Sequence, residues 1–560
     1  MYRQTEYDRT LVTRKVGEFR AKVRRRLDGE PAGQVVRPSP TMNGVYLQCQ
    51  AYMLRVAIPY GTLSSRQMRR LADVARHYDR GYLHVTTSQS VRFHWPKLRD
   101  VPSIVRDLAA VELHVLTPGA SGVRTLTTDP FAGVAEGEVE DPRIYCEIIQ
   151  QWAQAHPDLA HVTQGLAIAV AGSHDDRALS RFHDLGFIAR RNADGLIGFE
   201  VLAGGSHGRT PSVGVTIRPF LQEADLPSYL EAIVRVCDRH VGGDGRPEHR
   251  LAVVIRDVGV AGFIRQVEAE WPRCHDRDSL LCTTDIDLIA REFALPYPVT
   301  PDAPVPGLRD AVARDPAFGH WLATCALAHR DPGRAIVVVS LKTAGGVPGN
   351  IGWEQMDLLA GLADRFSQGE IRLTHDQNVA FPHVLAANLH ALWLALIQIE
   401  LATPNVGLVS DIVSCPGLDY CPLATTRTMP LAQTISRRLD DLQRQRHIGP
   451  LGITISGCAG GCGRHCAGAI GLLGVERAGE DHFQILLGGN SGVDAALGEP
   501  IGPPLPRARV VDAVERIIET YVGRRLRDEG FLDTWRRLGP EPFRAAIMAS
   551  DGAAPNGQGA

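Results

Sequence analysis

The chain has 560 residues, of which 44% are apolar and 22% are charged, and its formal net charge is −3. This length accommodates about three domains with buried cores, and the balanced charge argues against a nucleic-acid-binding or membrane-surface protein. Neither an apolar run of about 18 residues nor an N-terminal apolar segment of signal-peptide length occurs. We therefore expect a cytoplasmic globular protein without nucleic-acid or membrane partners.

The first ordered elements are predicted to form a strand–helix–strand unit. Alternating apolar residues predict a strand over Met53–Ile58, and helical periodicity predicts a helix over Thr62–Tyr78 with Ser64 or Ser65 as its cap. A second strand is predicted over Leu83–Trp95.

The same pattern recurs later in the chain, at a shift of 288 residues. Identical residues at this shift include Gly61 and Gly349, Met68 and Met356, Leu71 and Leu359, Ala75 and Ala363, Thr86 and Thr374, Gln89 and Gln377, and Phe93 and Phe381. Two further similar pairs of segments begin at Gly165 and Gly452 and at Val201 and Ile485. We therefore expect two pseudo-twofold-related copies of a unit of about 200 residues. Because each copy mixes strands and helices, the fold class is α+β.

Three segments are predicted to lie outside this repeat. An amphipathic helix is predicted within residues 1–30. Residues 295–308 are rich in proline and show neither helical nor strand periodicity, which predicts a linker. The tail from Ser550 lacks large apolar side chains and is predicted to be disordered.

Five of the eleven cysteines fall between Ser414 and Gly471. Cys415 and Cys421 have the spacing C-x5-C, and Cys458 and Cys462 have the spacing C-x3-C. Thiolates are the ligands that iron–sulfur clusters require, and the surrounding glycines permit tight, amide-rich loops. A zinc site or buried free cysteines are competing interpretations, although a five-residue gap fits a structural zinc site poorly. The fifth residue, Cys466, is interpreted as a small apolar side chain on a following helix.

These spacings, with the flanking sequences SGC and CGRH, resemble the sulfite and nitrite reductases that couple siroheme to a 4Fe-4S cluster. The resemblance extends from about Tyr7 to Phe543 and implies a three-domain, sulfite-reductase-like architecture. It also implies that the four cysteines Cys415, Cys421, Cys458 and Cys462 hold the cluster, and that Cys462 bridges to the siroheme iron.

The resemblance suggests the following division of the chain. We expect an N-terminal helical extension (1–37), a ferredoxin-like half-domain (38–100), a siroheme and substrate domain (101–294), a linker (295–325), a second ferredoxin-like half-domain (326–388), an iron–sulfur and siroheme domain (389–549) and a disordered tail (550–560).

Several polar residues match family positions beside the cofactor. Arg55, in the sequence MLR, and Arg124, in ASGVRTLTTDPFAG, match arginines that contact siroheme and substrate. From the residues alone, each is equally compatible with a surface charge. The polar strand beside the cofactor is matched by Thr86, Thr87, Gln89 and His94, for which ordinary strand pairing is the alternative interpretation.

The chain also departs from the family pattern. Ser88 stands in place of an arginine, and Gly460 in place of an asparagine. Gly165 and Ala167 replace a Lys-x-Lys pair that binds the oxyanion and relays protons in the family, and no Lys or Arg occurs between residues 143 and 177. Candidate replacements for the missing charge are Arg464 and His465, near Cys462, and Lys342. His465 is equally compatible with a cap or a loop histidine.

The resemblance implies an oxidoreductase that reduces sulfite to sulfide with six electrons, with nitrite as the sister substrate. No independent nucleotide-binding fingerprint is present, so electrons are expected from a ferredoxin or a flavoprotein. Two alternatives remain open at this point. One is a tetrapyrrole oxygenase similar to precorrin-3B synthase, and the other is a non-catalytic siroheme or electron-transfer protein.

Overall fold

The computed structural model describes residues 45–47, 52–113, 125–156, 165–241, 251–275, 283–298 and 307–548, with a few isolated positions besides. The chain divides into two compact units. Unit 1 consists of Met1–Ser206, Thr210–Leu341 and Gly349–Val406, and unit 2 consists of His207–Arg209, Lys342–Pro348 and Gly407–Ala560. Arg124 and the predicted tail lie outside the described residues, as does almost all of the predicted N-terminal helix.

The strands, numbered along the chain, are short. They are β1 Val45–Leu47, β2 Tyr52–Val56, β3 Thr62–Ser64, β4 Tyr82–Val85, β5 Val91–Phe93, β6 Thr125–Thr128, β7 Ala167–Ala171, β8 Leu185–Arg191, β9 Ile197–Ala203, β10 Val215–Gln222, β11 Ala326–Ala328, β12 Arg334–Val339, β13 Asn350–Gly352, β14 Glu370–Leu373, β15 Val379–Leu385, β16 Val413–Ser414, β17 Ile453–Ser456, β18 Ile470–Arg477, β19 Glu480–Leu487 and β20 Glu499–Pro506.

The helices lie between these strands and after the last of them. They are α1 Ser65–Tyr78, α2 Val101–Ala109, α3 Pro142–Ala155, α4 Leu226–Val241, α5 Leu251–Val258, α6 Val260–Cys274, α7 Thr283–Phe293, α8 Leu308–Arg314, α9 Pro316–Cys325, α10 Trp353–Phe366, α11 Leu389–Gln398, α12 Met429–Arg438, α13 Leu442–Ile448, α14 Arg507–Arg524, α15 Phe531–Leu538 and α16 Glu541–Met548. Among these helices of the described residues, none combines the length and the apolar character needed to cross a bilayer.

Unit 1 contains two five-stranded sheets that exchange an edge strand. Their orders are β1-β2-β5-β4-β13 and β11-β12-β15-β14-β3. Thus β13, from the second repeat, pairs with β4 of the first, while β3 from the first repeat pairs with β14 of the second. This reciprocal exchange is the arrangement that a pseudo-twofold repeat produces.

Equivalent helices lie beside these sheets and begin with related caps. The Ser64 Oγ accepts a hydrogen bond from the Gln67 amide at 3.1 Å, and the Gln67 side chain accepts one from the Ser64 amide at 2.9 Å. At the start of α10, the Gln355 side chain likewise accepts from the Gly352 amide at 3.2 Å. The serine cap is therefore confirmed, although residues 62–64 form β3 instead of the first helical turn.

Each unit contains one sheet with both parallel and antiparallel pairings, and these two mixed sheets have the same topology. The strand orders are β6-β7-β8-β9-β10 in unit 1 and β16-β17-β18-β19-β20 in unit 2. In each sheet the first two pairings are parallel and the last two are antiparallel. The matching topologies confirm the prediction of an α+β protein made of two repeats.

The predicted single strand over Leu83–Trp95 is wrong. Strands β4 and β5 form a hairpin, with Val85 paired to Val91. Between them, Gln89 has a φ of 51°, in the left-handed region that turns use. The hydroxyl of Thr86 accepts from the amides of Ser88 and Ser90 at 3.4 and 3.3 Å. Hydroxyl–backbone bonds of this kind compete with strand pairing.

Candidate iron–sulfur centre and anion-binding residues

Two cysteine loops follow neighbouring strands of unit 2. Strands β16 and β17 are parallel, with Ser414 opposite Ile455. Cys415 comes directly after β16, and Cys458 comes two residues after β17. Because the carboxyl ends of parallel strands open at the same edge of a sheet, groups from both loops gather there.

Backbone hydrogen bonds hold the first cysteine loop, and one amide points directly at a sulfur atom. The amide of Gly457 donates to the Sγ of Cys415 at 3.1 Å, and the Cys415 amide donates to the Ile455 carbonyl at 3.1 Å. The amide of Cys421 donates to the Gly417 carbonyl at 2.8 Å. An N–H group that points at sulfur favours the ionised thiolate over the thiol.

Glycines allow the second loop to pack backbone against backbone. Gly461 has a φ of 70°, and a Cβ there would overlap the carbonyl oxygen of His207. A Cβ at Gly463 would overlap the Ile455 carbonyl oxygen. The amide of Gly460 donates to the Sγ of Cys458 at 3.4 Å. The loop is therefore rich in amides and free of bulky side chains at these points, as a cluster-binding loop requires.

The four cysteines come together in unit 2. Burial raises the pKa of Cys415 to about 12, and the Cys462 and Cys458 thiols add to this increase. Burial also raises the pKa of Cys458, with further contributions from Cys462 and Cys421. The four sulfur atoms are thus close enough to interact electrostatically, and their ionised forms need a cationic partner here.

This donor set fits a multi-iron cluster. Within the part of the chain that the structure describes, no three His, Cys, Asp or Glu side chains lie close enough to share one metal ion. A 4Fe-4S cluster needs a wider arrangement, because its four thiolates bind four different irons. Cys415 is buried, Cys421 and Cys458 are half-buried, and Cys462 is exposed.

Cys466 lies in a turn, so the predicted following helix is absent from the described residues 463–469. The side chain is buried, and its Sγ lies 3.8 Å from the Nδ1 of His207. Burial raises the pKa of Cys466 to about 11. The neighbouring His465 is buried too, its Nδ1 has no hydrogen-bond partner among the described residues, and burial lowers its pKa to about 4. His465 is therefore neutral at pH 7.

Lys342 belongs to the same unit as the cysteines and is held in a buried ion pair. Its Nζ lies 2.6 Å from the Oδ1 of Asp411, and the two side chains are 2% and 6% exposed. The other oxygen of Asp411 accepts from the Gly407 amide at 2.9 Å. The charge of Lys342 is thus largely compensated by Asp411.

Replacing Lys342 by Met is expected to lower the free energy of unfolding by about 3–5 kcal/mol, because Asp411 would remain buried without its cationic partner. Chemical denaturation measures this change. The exposed pair Arg69–Asp364, at 2.6 Å, offers a matched control in which Arg69→Met should cost about 1 kcal/mol or less. Equal losses for the two variants would show that burial of the Lys342 pair has no energetic consequence.

The predicted polar residues of unit 1 surround the β4–β5 hairpin. Arg55 lies on β2, and its Nε donates to the Ser90 Oγ at 3.2 Å. Thr86, Thr87 and Gln89 lie in the turn and not on a strand. The Thr87 carbonyl lies 3.2 Å from a ring nitrogen of His375.

Gln89 and His94 complete this set. The Gln89 side chain donates to the Leu373 carbonyl at 3.3 Å and accepts from the Thr128 amide at 3.3 Å. His94 is buried just after β5, and burial lowers its pKa to about 2. The turn therefore ties the first repeat to the second through side-chain bonds.

His84 was not among the residues singled out from the sequence. Its Nδ1 lies 2.9 Å from the Asn350 side-chain oxygen, and burial lowers its pKa to about 4. In the unfolded chain the His84 ring takes up a proton near pH 6.5, but in the folded chain it does so only near pH 4. The contribution of the neutral His84 ring to the free energy of unfolding is thus intact above pH 6.5 and is lost as the pH falls to 4.

We expect His84→Gln to remove this pH dependence. Between pH 6.5 and pH 4, the wild-type protein should lose about 3 kcal/mol relative to the variant. Chemical denaturation of both proteins across this range measures the difference, and the exposed His77→Gln serves as the control. Parallel stability curves for wild type and His84→Gln would contradict the expectation.

Gly165 and Ala167 place no charge at the start of β7. The Ala167 amide donates to an Asp184 carboxylate oxygen at 2.8 Å. Gly165 is exposed, and a Cβ there would lie 3.3 Å from the Val162 carbonyl oxygen. A side chain at Gly165 therefore requires only a small adjustment of its neighbour.

Sequence reasoning also missed Arg92, Asp411 and His207. Arg92 stands opposite Arg55 on the neighbouring strand, a relation that depends on register and has no signal in the spacing of the two residues. Asp411 and His207 become relevant only through the partners that folding gives them.

Two family models each match the chain twice. The nitrite and sulphite reductase 4Fe-4S domain matches residues 119–274 and 407–553, and the nitrite/sulfite reductase ferredoxin-like half domain matches residues 46–111 and 335–399. The paired matches confirm the internal repeat. Their extent, more than half of the chain, shows the family.

Characterised relatives are similar over most of their length. A ferredoxin–nitrite reductase of Synechococcus elongatus is 28% identical over 80% of this chain and 82% of its own length. A chloroplastic ferredoxin–nitrite reductase of Arabidopsis thaliana is 27% identical over 80% of this chain and 72% of its own length. A sulfite reductase [ferredoxin] of Mycobacterium tuberculosis is 25% identical over 87% of this chain and 82% of its own length.

The fold agrees with these similarities. The solved structure of the Mycobacterium tuberculosis NirA protein superposes with a TM-score of 0.73 and 22% identity, covering 95% of this chain and 97% of that one. Siroheme and a 4Fe-4S cluster are the cofactors of the matched family. The chain belongs to the nitrite and sulfite reductase family of siroheme and 4Fe-4S oxidoreductases.

Proposed function

We propose that this protein catalyses the six-electron reduction of nitrite to ammonium, with sulfite as a poorer substrate and a ferredoxin as electron donor. The observation that carries the proposal is the convergence of four cysteines on two loops from adjacent parallel strands. Named relatives that use ferredoxin and reduce nitrite or sulfite support it.

The chain's own residues would hold the cofactors as follows. Cys415, Cys421, Cys458 and Cys462 would bind the cluster. Cys462 would lie next to siroheme, as the family resemblance implies, and its side chain is exposed. When bound, the cluster would relay electrons from the ferredoxin, and siroheme would supply the iron that binds the anion. The siroheme-facing group would comprise Arg55, Thr86, Thr87, Gln89, His94 and Arg124.

Charge favours nitrite over sulfite. Nitrite carries a single negative charge at pH 7, whereas a large fraction of sulfite carries two. Arg55 supplies a fixed positive charge, but Gly165 and Ala167 supply none. A site with less positive charge loses more affinity for the more highly charged anion.

Proton supply from the chain's own side chains is weak as well. His465 is neutral at pH 7 because burial lowers its pKa to about 4, so it cannot act as a cationic acid. Lys342 is paired with Asp411. Water would therefore deliver most of the protons, which slows each step that removes an oxygen.

The electron donor is proposed to be a ferredoxin, with a flavoprotein reductase as the alternative. A ferredoxin appears in the names of the nitrite and sulfite reductases cited above. We also propose a cytoplasmic location, because the cysteines in the described part of the chain are free thiols, as expected in a reducing compartment.

A second candidate is a siroheme protein that transfers electrons without reducing either anion. The uncharged Gly165 and Ala167 favour this alternative. Such a protein would bind both cofactors but would form neither ammonium nor sulfide.

Steady-state assays with reduced ferredoxin distinguish the candidates. The full chain, purified with its cofactors, should form ammonium from nitrite with a kcat/KM at least about tenfold higher than that for sulfide formation from sulfite. A preference for sulfite would contradict the charge argument. Consumption of neither anion by protein that contains both cofactors would support electron transfer alone.

A further inference from the structure

We propose that Arg55 and Arg92 form a binding pair for a carboxylate or an oxyanion on one face of the first ferredoxin-like sheet. Strands β2 and β5 are antiparallel neighbours, and these two arginines stand directly opposite each other in register. Opposed residues of an antiparallel pair project from the same face with their Cβ atoms about 5 Å apart. The identity of the ligand rests on the proposed function, but the geometry of the pair does not.

Arg92 lacks the partners that structural arginines have. Its Nε is buried without a hydrogen-bond acceptor, and no ion pair joins it to a carboxylate among the described residues. Arg92 as a whole is half-buried. The fully buried arginines of unit 1 are paired: Arg143 lies 2.6 Å from Asp141, and Arg372 lies 2.7 Å from Glu370. A buried donor without an acceptor is costly unless a ligand satisfies it.

The side chains described around the pair are hydroxyl groups and a neutral histidine ring. His84 stands opposite Arg92 on the other side, on β4. The positive charge of Arg92 helps to keep His84 neutral by lowering its pKa, after the larger effect of burial. On the Arg55 side, the Ser90 Oγ accepts from Arg55 at 3.2 Å and lies 2.8 Å from the Thr86 hydroxyl.

Two like charges directly opposite each other in a sheet repel. A planar anion between them removes the repulsion, because each guanidinium can donate two parallel hydrogen bonds to a carboxylate or an oxyanion. In a siroheme reductase this chemistry has two sources: a carboxylate of the tetrapyrrole, or the free inorganic substrate.

The variant Arg92→Gln separates the two sources. The full chain as purified is analysed for tetrapyrrole content per chain by absorbance and for sulfite affinity by calorimetry. The control is Arg99→Gln in the same unit, whose side chain is 66% exposed beside Asp100. Arg92→Lys keeps the charge without the bidentate geometry and should give an intermediate result, which also serves if the Gln variant does not fold.

A lower tetrapyrrole content in Arg92→Gln, with Arg99→Gln unchanged, would support the pair with a tetrapyrrole carboxylate as its ligand. An unchanged content with a dissociation constant for sulfite raised about tenfold or more would support it with the inorganic anion as its ligand. If neither quantity changes, the proposal is overturned. A wild-type chain without tetrapyrrole that reduces neither anion would contradict the proposed function alone, because calorimetry still reports on the arginine pair.

Discussion

Replacing Cys421 by Ser is expected to abolish the 4Fe-4S cluster and, with it, all anion reduction. The loops that carry Cys415, Cys421, Cys458 and Cys462 follow the adjacent parallel strands β16 and β17, and we propose that these four thiolates act as one ligand set. A serine hydroxyl is a hard and weakly acidic group, so it does not replace a thiolate that binds iron. Iron and acid-labile sulfide per chain, together with the rate of nitrite reduction, measure the effect.

The matched control for this variant is Cys466→Ser. Cys466 lies only four residues after Cys462, but it is buried, contacts His207, and is not among the thiols that shift the pKa values of Cys415 and Cys458. Iron content should stay at the wild-type value in this variant. Full iron content in Cys421→Ser, or its loss in Cys466→Ser, would show that the ligand set is wrongly assigned.

The second large effect is a gain. A Gly165→Lys, Ala167→Lys double variant is expected to raise sulfite turnover by on the order of tenfold to a hundredfold, because it adds both anion-binding charge and acids that protonate leaving oxygens. Gly165 is exposed, and Ala167, at the N-terminal end of β7, is half-buried. Steady-state kinetics of the cofactor-loaded protein measure the gain.

A Gly165→Gln, Ala167→Gln variant has side chains of similar length without the charge, and it should show no gain. Equal rates in the lysine and glutamine variants would mean that charge at these positions does not limit turnover. If the unmodified protein already reduces sulfite as fast as nitrite, the account of a weakened anion site is wrong.

The repeat could be predicted from the sequence because residues that are identical in the two copies make equivalent contacts in both. The Gln89 side chain donates to the Leu373 carbonyl at 3.3 Å, and its counterpart Gln377 donates to the Val85 carbonyl at 3.1 Å. Both glutamines have positive φ values, 51° and 60°. Residues that fix a turn and a cross-repeat bond leave an identity at a fixed shift in the sequence.

The cysteine spacing likewise indicated the two loops, because each pair of cysteines lies within one loop, and the structure places these loops after adjacent strands. Long-range pairing could not be predicted in the same way. The exchange of β3 and β13 joins residues far apart in the chain, and the opposition of Arg55 and Arg92 depends on a hairpin register. The hairpin itself was missed because Thr86, Ser88 and Ser90 alternate as strand residues do, while their hydroxyls bond within the turn.

The absorption spectrum of the purified full chain, recorded before and after addition of nitrite, tests the central claim most directly. A siroheme and 4Fe-4S reductase should show a chlorin-type band that shifts when nitrite binds, together with four irons of the cluster and one of siroheme per chain. A spectrum without a tetrapyrrole band, in protein whose four cysteines carry a complete cluster, would contradict the account.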